Sequence, residues 1–316
     1  MDTRHLVDPE LASLLEVFPT REFNHDNLAE ARSRVLPMPP APEGAADLQR
    51  RKVPGAAGAP EVELYIYRPT GAQGALPCIF HVHGGGYVAG SSKGQEAAHK
   101  IMAADLDCVI VSVEYRLAPE TPHPGPLDDC YAGLAWTFAH AEEIGVDRTR
   151  IGVLGESAGG GLAAALALLA RDRGEHRLAF QHLVYPMLDD RTCTHPDPHP
   201  TAGEFIWHGP NNRFGWSCLL GHEPGREGVS PYAAPARAEN LAGLPPTVIS
   251  TGALDLFLEE DLEYARRLLR AGVPTELHVY PGAFHAFDLA PDAEISRTAR
   301  RDRREGLRRA LHGRRN

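Results

Sequence analysis

The five residues Gly155-Glu156-Ser157-Ala158-Gly159 constrain this chain more than any other stretch. Before them lies a short apolar run, Arg150 to Leu154, with β-branched Ile151 and Val153; after them comes an Ala- and Leu-rich run from Leu162 to Ala170. The first run reads as a buried strand and the second as a helix. In a strand–turn–helix setting, a G-x-S-x-G pattern lifts its serine clear of the strand end on a strained backbone. Glycine is needed at 155 and 159 because a Cβ at either position clashes inside so tight a turn. The helix behind the turn points unpaired N–H groups at the place where negative charge develops on a reacting acyl group. Ser157 is therefore the candidate nucleophile.

A serine hydroxyl becomes a good nucleophile only beside a base, and a histidine base needs a carboxylate to fix its tautomer. In chains with this turn the order is serine, acid, histidine, on loops after successive strands. Thr247–Thr251 reads as a strand, and Asp255 lies just past its end. Glu276–Tyr280 reads as the next, and His285 is similarly placed beyond it. Of 16 histidines only His285 has this position and order. Glu259, Glu260 and Asp261 compete with Asp255, but they fall in the next helical stretch, Leu258 to Ala271, where a solvated face is expected. Upstream, the apolar strand Pro77–His83 runs into Gly84-Gly85-Gly86. Three glycines at a strand end let backbone N–H groups approach a substrate oxyanion unhindered.

The remaining chain alternates strands with helices. Leu48–Val53 and Val62–Arg68 read as an antiparallel pair, Cys108–Val113 and Ala179–Tyr185 as buried strands. Ala97–Asp105, Leu127–Ala141 and Ile295–Leu311 read as helices, and 187–230 has no strand character. That alternation predicts an α/β fold with a mostly parallel sheet covered on both faces. At 316 residues and 43% hydrophobic content, one large domain with an insertion accounts for the length.

Together, His83-Gly84-Gly85-Gly86, YRLAPE at 115–120, GESAGG at 155–160, the Asp255 loop and PGAFH at 281–285 resemble the hormone-sensitive-lipase group of α/β-hydrolases, whose bacterial members are carboxylesterases. The resemblance covers roughly residues 60–290. It implies Ser157 as nucleophile, His285 as base and Asp255 as orienter, with the N–H groups of Gly84, Gly85 and Ala158 as oxyanion hole. It also implies a helical cap, built from residues 1–45 and part of 187–225, over a catalytic domain spanning 46–316. Trp207 and Trp216 then either line the acyl pocket or only pack the cap. For Arg116, Asp128 and Asp129, substrate contact is one reading, and the resemblance implies buried, loop-holding roles instead. The chain departs from the family pattern at Glu156, Leu256 and Ala286, none of which carries a reacting atom.

The substrate class expected is a small ester of short-to-medium acyl length, with amides and lactones open to the same machinery. A non-catalytic receptor of this fold, or a peptidase of the prolyl-oligopeptidase kind, remain the other readings. No cofactor is expected. The net charge of −10 argues against nucleic acid as a partner. No apolar run approaches the ~20 residues of a membrane span, and the acidic N-terminus has no signal-peptide core. The five cysteines are odd in number and lack a C-x-x-C, so neither disulfides nor zinc are expected, and a cytoplasmic setting is. His195 to His199 reads as a proline-locked surface loop rather than a metal site. Nine arginines within 297–316 are expected to form the solvated face of a helix docked through Ile295, Leu307 and Leu311. The Glu276–Tyr280 strand, as a sheet edge, is where a homodimer is expected to pair.

Overall fold

A computed structural model describes residues 2–18, 22–33 and 40–313. The Pro-rich stretch after Leu36 and the last two arginines lie partly or wholly outside these residues. Eight strands make one sheet: β1 (Ala46–Val53), β2 (Val62–Pro69), β3 (Leu76–Val82), β4 (Val109–Glu114), β5 (Val146–Glu156), β6 (Gln181–Val184), β7 (Thr247–Gly252) and β8 (Thr275–Tyr280). Their order is β1-β2-β4-β3-β5-β6-β7-β8. The β1–β2 and β2–β4 pairs are antiparallel and all others parallel. From β3 the chain first builds outward to β4, then crosses back to β5 on the other side. That reversal opens a crevice at the carboxyl ends of β3 and β5, where ligands bind in open α/β sheets.

The helices are α1 (Ala12–Val17), α2 (Leu28–Ser33), α3 (Glu96–Leu106), α4 (Gly125–Ala139), α5 (Ala158–Arg173), α6 (Gly209–Leu220), α7 (Leu258–Arg270) and α8 (Glu294–His312). One face of the sheet packs on α4, α5 and α7 through Phe138, Leu166 and Leu268; the other packs on α3 and α8 through Leu106, Leu307 and Leu311. All seven residues of β3 are buried, as a central strand covered on both faces requires. α5 is buried from Ala158 to Ala170 because its small residues let the helix lie close on the sheet.

Three local readings change. β5 begins at Val146 rather than Arg150, because its first turn-ward residues, Asp147 to Arg150, are polar and hide the strand from a hydrophobic pattern. α5 begins directly after Ser157, with Gly159 to Gly161 inside its first turn, so low glycine helix propensity gives way to packing. Glu260 and Asp261 are not on a solvated face. Both are buried. The Glu260 carboxylate accepts from the N–H groups of Leu188 (2.6 Å) and Asp189 (3.2 Å) and from the Thr192 hydroxyl, tying α7 to the start of the 187–225 insertion. Burial pushes both acids well above the carboxylate range.

The α3/α8 layer also holds buried imidazoles. Burial lowers His182 to about 3 and His83, beside the sheet end, to about 4; it holds His99 well below the usual 6.5. The unfolded chain protonates these groups near pH 6.5 and the folded chain does not. Unfolding therefore takes up protons between pH 6.5 and about 4, and stability falls as the pH falls. Each site contributes a slope of up to ~1.4 kcal/mol per pH unit. Glu260 and Asp261, raised in the folded chain, act in the opposite sense. With three imidazoles against two carboxyls, the Tm is expected to fall as the pH drops below about 6; a calorimetric Tm that stays flat or rises down to about pH 4.5 would show that the imidazoles do not dominate.

Candidate active site

Ser157 stands between β5 and α5 with φ 56° and ψ −125°. A side-chain-bearing residue pays for that left-handed backbone, and the surroundings enforce it. A Cβ on Gly155 would lie 2.2 Å from the Gly159 carbonyl oxygen; one on Gly159 would lie 2.1 Å from that of Val82. The turn is thus locked between its own helix and the end of β3.

The loops after β7 and β8 bring two more side chains to this serine. His285 Nε2 lies 3.0 Å from Ser157 Oγ, and His285 Nδ1 lies 2.8 Å from Asp255 Oδ2. Asp255 is fully buried, and its Oδ1 accepts the Phe257 N–H at 3.0 Å. One carboxylate oxygen is fixed by its own loop while the other faces the imidazole. In that arrangement Nδ1–H donates to Asp255 and Nε2 is free to accept the serine proton. Aromatic rings enclose the imidazole: Tyr185 edge-on at 4.7 Å, Phe257 perpendicular at 5.2 Å and Trp207 at 6.3 Å.

The glycine loop after β3 passes against the serine. A Cβ on Gly84 would meet the Glu156 carbonyl oxygen at 2.7 Å and Ser157 Cβ at 3.3 Å. Gly85 has φ +127°, a conformation side chains rarely adopt. Among the described residues no backbone carbonyl takes the N–H of Gly84 or Gly85. Ala158 opens α5, where helix N–H groups have no partner within the helix. His83 itself does not face the site. Its Nδ1–H donates to the Gly84 carbonyl (2.9 Å), its ring stacks on Tyr115 at 4.2 Å, and the Tyr115 hydroxyl donates to the His83 carbonyl at 2.8 Å. It holds the loop's shape.

The two tryptophans differ. Trp207 faces His285, and its ring lies where a Cβ on Gly86 would be. Its Nε1–H donates to Asn212 at 3.2 Å, and Phe23 from the N-terminal segment packs on it at 5.9 Å. Trp216 is fully buried against Tyr87 and belongs to the core. The N-terminal segment is tied down at several points. Thr3 N–H donates to Glu204 at 2.7 Å, Phe23 N–H to Asn211 at 2.8 Å, and Arg32 to the Val88 and Ala118 carbonyls at 2.7 and 2.9 Å.

Arg116 grips the buried Asp129 through its backbone N–H and guanidinium, at 2.7–2.9 Å, which fixes the loop after β4; Asp128 is half-buried alongside. His195 lies on an exposed loop. All five cysteines are free thiols, and among the described residues no three His, Cys, Asp or Glu side chains are grouped to hold a metal ion. No described helix is long and apolar enough to cross a membrane. Tyr185 and Phe257 had not been singled out from the sequence. The signal was there for Tyr185, which ends an apolar strand at the same sheet edge as Asp255 and His285.

Residues 79–289 match the family model described as the α/β-hydrolase fold. The chain is 32% identical to the carboxylesterase NlhH of Mycobacterium tuberculosis over 97% of both chains, and 29% identical to an arylesterase of Saccharolobus solfataricus over 90% of this chain and 93% of that one. Among solved structures it is similar to a bacterial heroin esterase, at 40% identity and a TM-score of 0.90 over 98% of this chain and 99% of that one. The esterase LipW of Mycobacterium marinum follows at 31% identity and 0.82, over 98% of each chain. The elbow at Ser157, the sheet order and these kinships agree: the chain belongs to the α/β-hydrolase family, in its hormone-sensitive-lipase-like group of carboxylesterases.

Proposed function

We propose that this carboxylic ester hydrolase cleaves esters of short-to-medium acyl length through an acyl-enzyme on Ser157. The observation that carries the reading is the continuous contact from Ser157 Oγ through His285 to Asp255, at 3.0 and 2.8 Å. Ser157 Oγ attacks the ester carbonyl carbon while His285 Nε2 takes its proton. The carbonyl oxygen becomes an oxyanion, which the N–H groups of Gly84, Gly85 and Ala158 receive. The C–O bond to the alcohol then breaks, and His285 returns the proton to the leaving oxygen. Water, deprotonated by the same imidazole, repeats the sequence on the acyl-enzyme and frees Ser157. Amides and lactones present the same carbonyl to these groups and form the second reading. A receptor role is disfavoured because all three side chains are in hydrogen-bonding contact.

Substrate length follows from the roof. Residues 1–45 and 187–225 act as a cap, with Trp207 facing His285 and Phe23 packed on Trp207. Acyl carbons contribute roughly 0.8 kcal/mol per CH₂ until the apolar wall ends; beyond it they stay in water or displace the cap. Over a series of acyl esters, kcat/KM is expected to climb from acetyl, peak at short-to-medium length and fall for long fatty acyl chains. Removing residues 1–45 is expected to flatten that profile and lower activity. A preference for long-chain triglyceride emulsions would overturn the reading.

A further inference from the structure

The arginines of α8 are not equivalent. Arg301 and Arg304 have side chains 55% and 50% exposed, whereas that of Arg303 is 16% exposed. Arg303 points inward, against the expectation of a solvated basic face, and its Nη2 donates to Asp288 Oδ2. Asp288 lies in the short 3-10 turn Phe287–Leu289, separated from His285 by one residue. Its other oxygen, Oδ1, accepts the Tyr185 hydroxyl at 2.8 Å. Tyr185 is the residue whose ring meets the His285 imidazole edge-on at 4.7 Å. A second tie from the same helix, Ser296 Oγ donating to the Phe287 carbonyl at 2.8 Å, holds the turn from below.

The charges are consistent with a fixed arrangement. Burial opposes the Arg303 charge, but Asp288, Tyr185 and Glu156 together hold its pKa above the ordinary value. Burial, then Asp288, pushes the Tyr185 hydroxyl well above its usual range, so it remains a donor. Asp255 holds the imidazole at one atom only, Nδ1. A ring held at one point can still swing, and a small misplacement of a proton-transfer group costs rate steeply. Phe257 limits the ring on one side, and Tyr185 on another.

We propose that Arg303, Asp288 and Tyr185 form a positioning chain that sets the orientation of the His285 ring, so that the C-terminal helix governs turnover at Ser157. The inference rests on the reading of His285 as the base. None of the three residues touches the reacting atoms. The competing role for Arg303 is neutralisation of the partly buried Glu156 alone, and under that role Tyr185 would be dispensable.

The test uses the full chain with Tyr185→Phe, Arg303→Gln, Arg303→Lys, the Tyr185→Phe/Arg303→Gln pair and the exposed Arg301→Gln as control. Active sites are counted with a stoichiometric serine-directed phosphonate, and kcat is expressed per titrated site on a short acyl ester. Tyr185→Phe and Arg303→Gln are each expected to lower kcat on the order of 10- to 100-fold with KM nearly unchanged. The pair should be no worse than the poorer single variant, since residues acting as a unit are not additive. Arg303→Lys should recover part of the loss, and Arg301→Gln should match the parent. Parent-like kcat per titrated site in Tyr185→Phe, or additive losses in the pair, would overturn the positioning chain while leaving Ser157 and His285 in place. Should Arg303→Gln not fold, Tyr185→Phe, which removes a single oxygen, decides alone. Failure of the phosphonate to label Ser157 would instead overturn the reading of the site and this inference with it.

Discussion

Replacing Ser157 with alanine is expected to leave a folded protein whose ester turnover is down by about 10⁴-fold or more. The serine contributes one hydroxyl, seated 3.0 Å from His285 Nε2. Removing it takes away the atom that, in the proposed mechanism, forms the acyl-enzyme, and should cost the fold little. Alanine carries the same Cβ as serine, so the strain of φ 56° is no greater in the variant. The glycine loop and the helix N-terminus remain, so a residue of catalysis over water should survive. The measurement is kcat on a short acyl ester, with circular dichroism and Tm to show that the fold is intact. Near-normal turnover by the folded variant would sink the assignment of Ser157.

Asp255→Asn is expected to cost on the order of 10⁴ in kcat with the fold retained. The amide nitrogen of asparagine, placed against Nδ1, favours the tautomer with its proton on Nε2, and that tautomer cannot accept from the serine. The variant also keeps the volume of a fully buried group. Glu259→Gln serves as the comparison. Glu259 is exposed on α7, and its variant should stay close to the parent. A larger loss in Glu259→Gln than in Asp255→Asn would make Glu259 the acid of the site.

Ser157 and Asp255 are legible in the sequence because each follows a strand that ends in a buried apolar run. His285 follows the partly exposed edge strand β8 and is legible from chain order and its place beyond that strand. Strands buried on both faces advertise themselves, and this family's chemistry sits just past their ends. The parts that escaped reading share a different cause. Glu260, Asp261 and Arg303 carry charges that pattern reasoning sends to solvent, yet tertiary packing buries the two acids and leaves Arg303 only partly exposed. For Glu260 the partners are backbone N–H groups over 70 residues away in sequence, and for Arg303 a carboxylate in another turn. Nothing local to α7 or α8 encodes those meetings. Trp207 and Trp216 are nine positions apart in one insertion, and only the three-dimensional path of that insertion turns one toward His285 and the other into the core.

The pairing of Ser157 with His285 spans 128 positions of chain, and that of His285 with Asp255 another 30. The reaction centre is therefore a property of the finished sheet and of no fragment of it. During synthesis the serine emerges well before β6, β7 and β8, and waits without its imidazole until the last strand has docked beside β7. Contacts this distant in sequence form late, because loop closure must come before they give any return. On the proposed mechanism a growing chain is expected to be inert toward esters, with hydrolysis beginning only after β8 and the His285 loop behind it have docked.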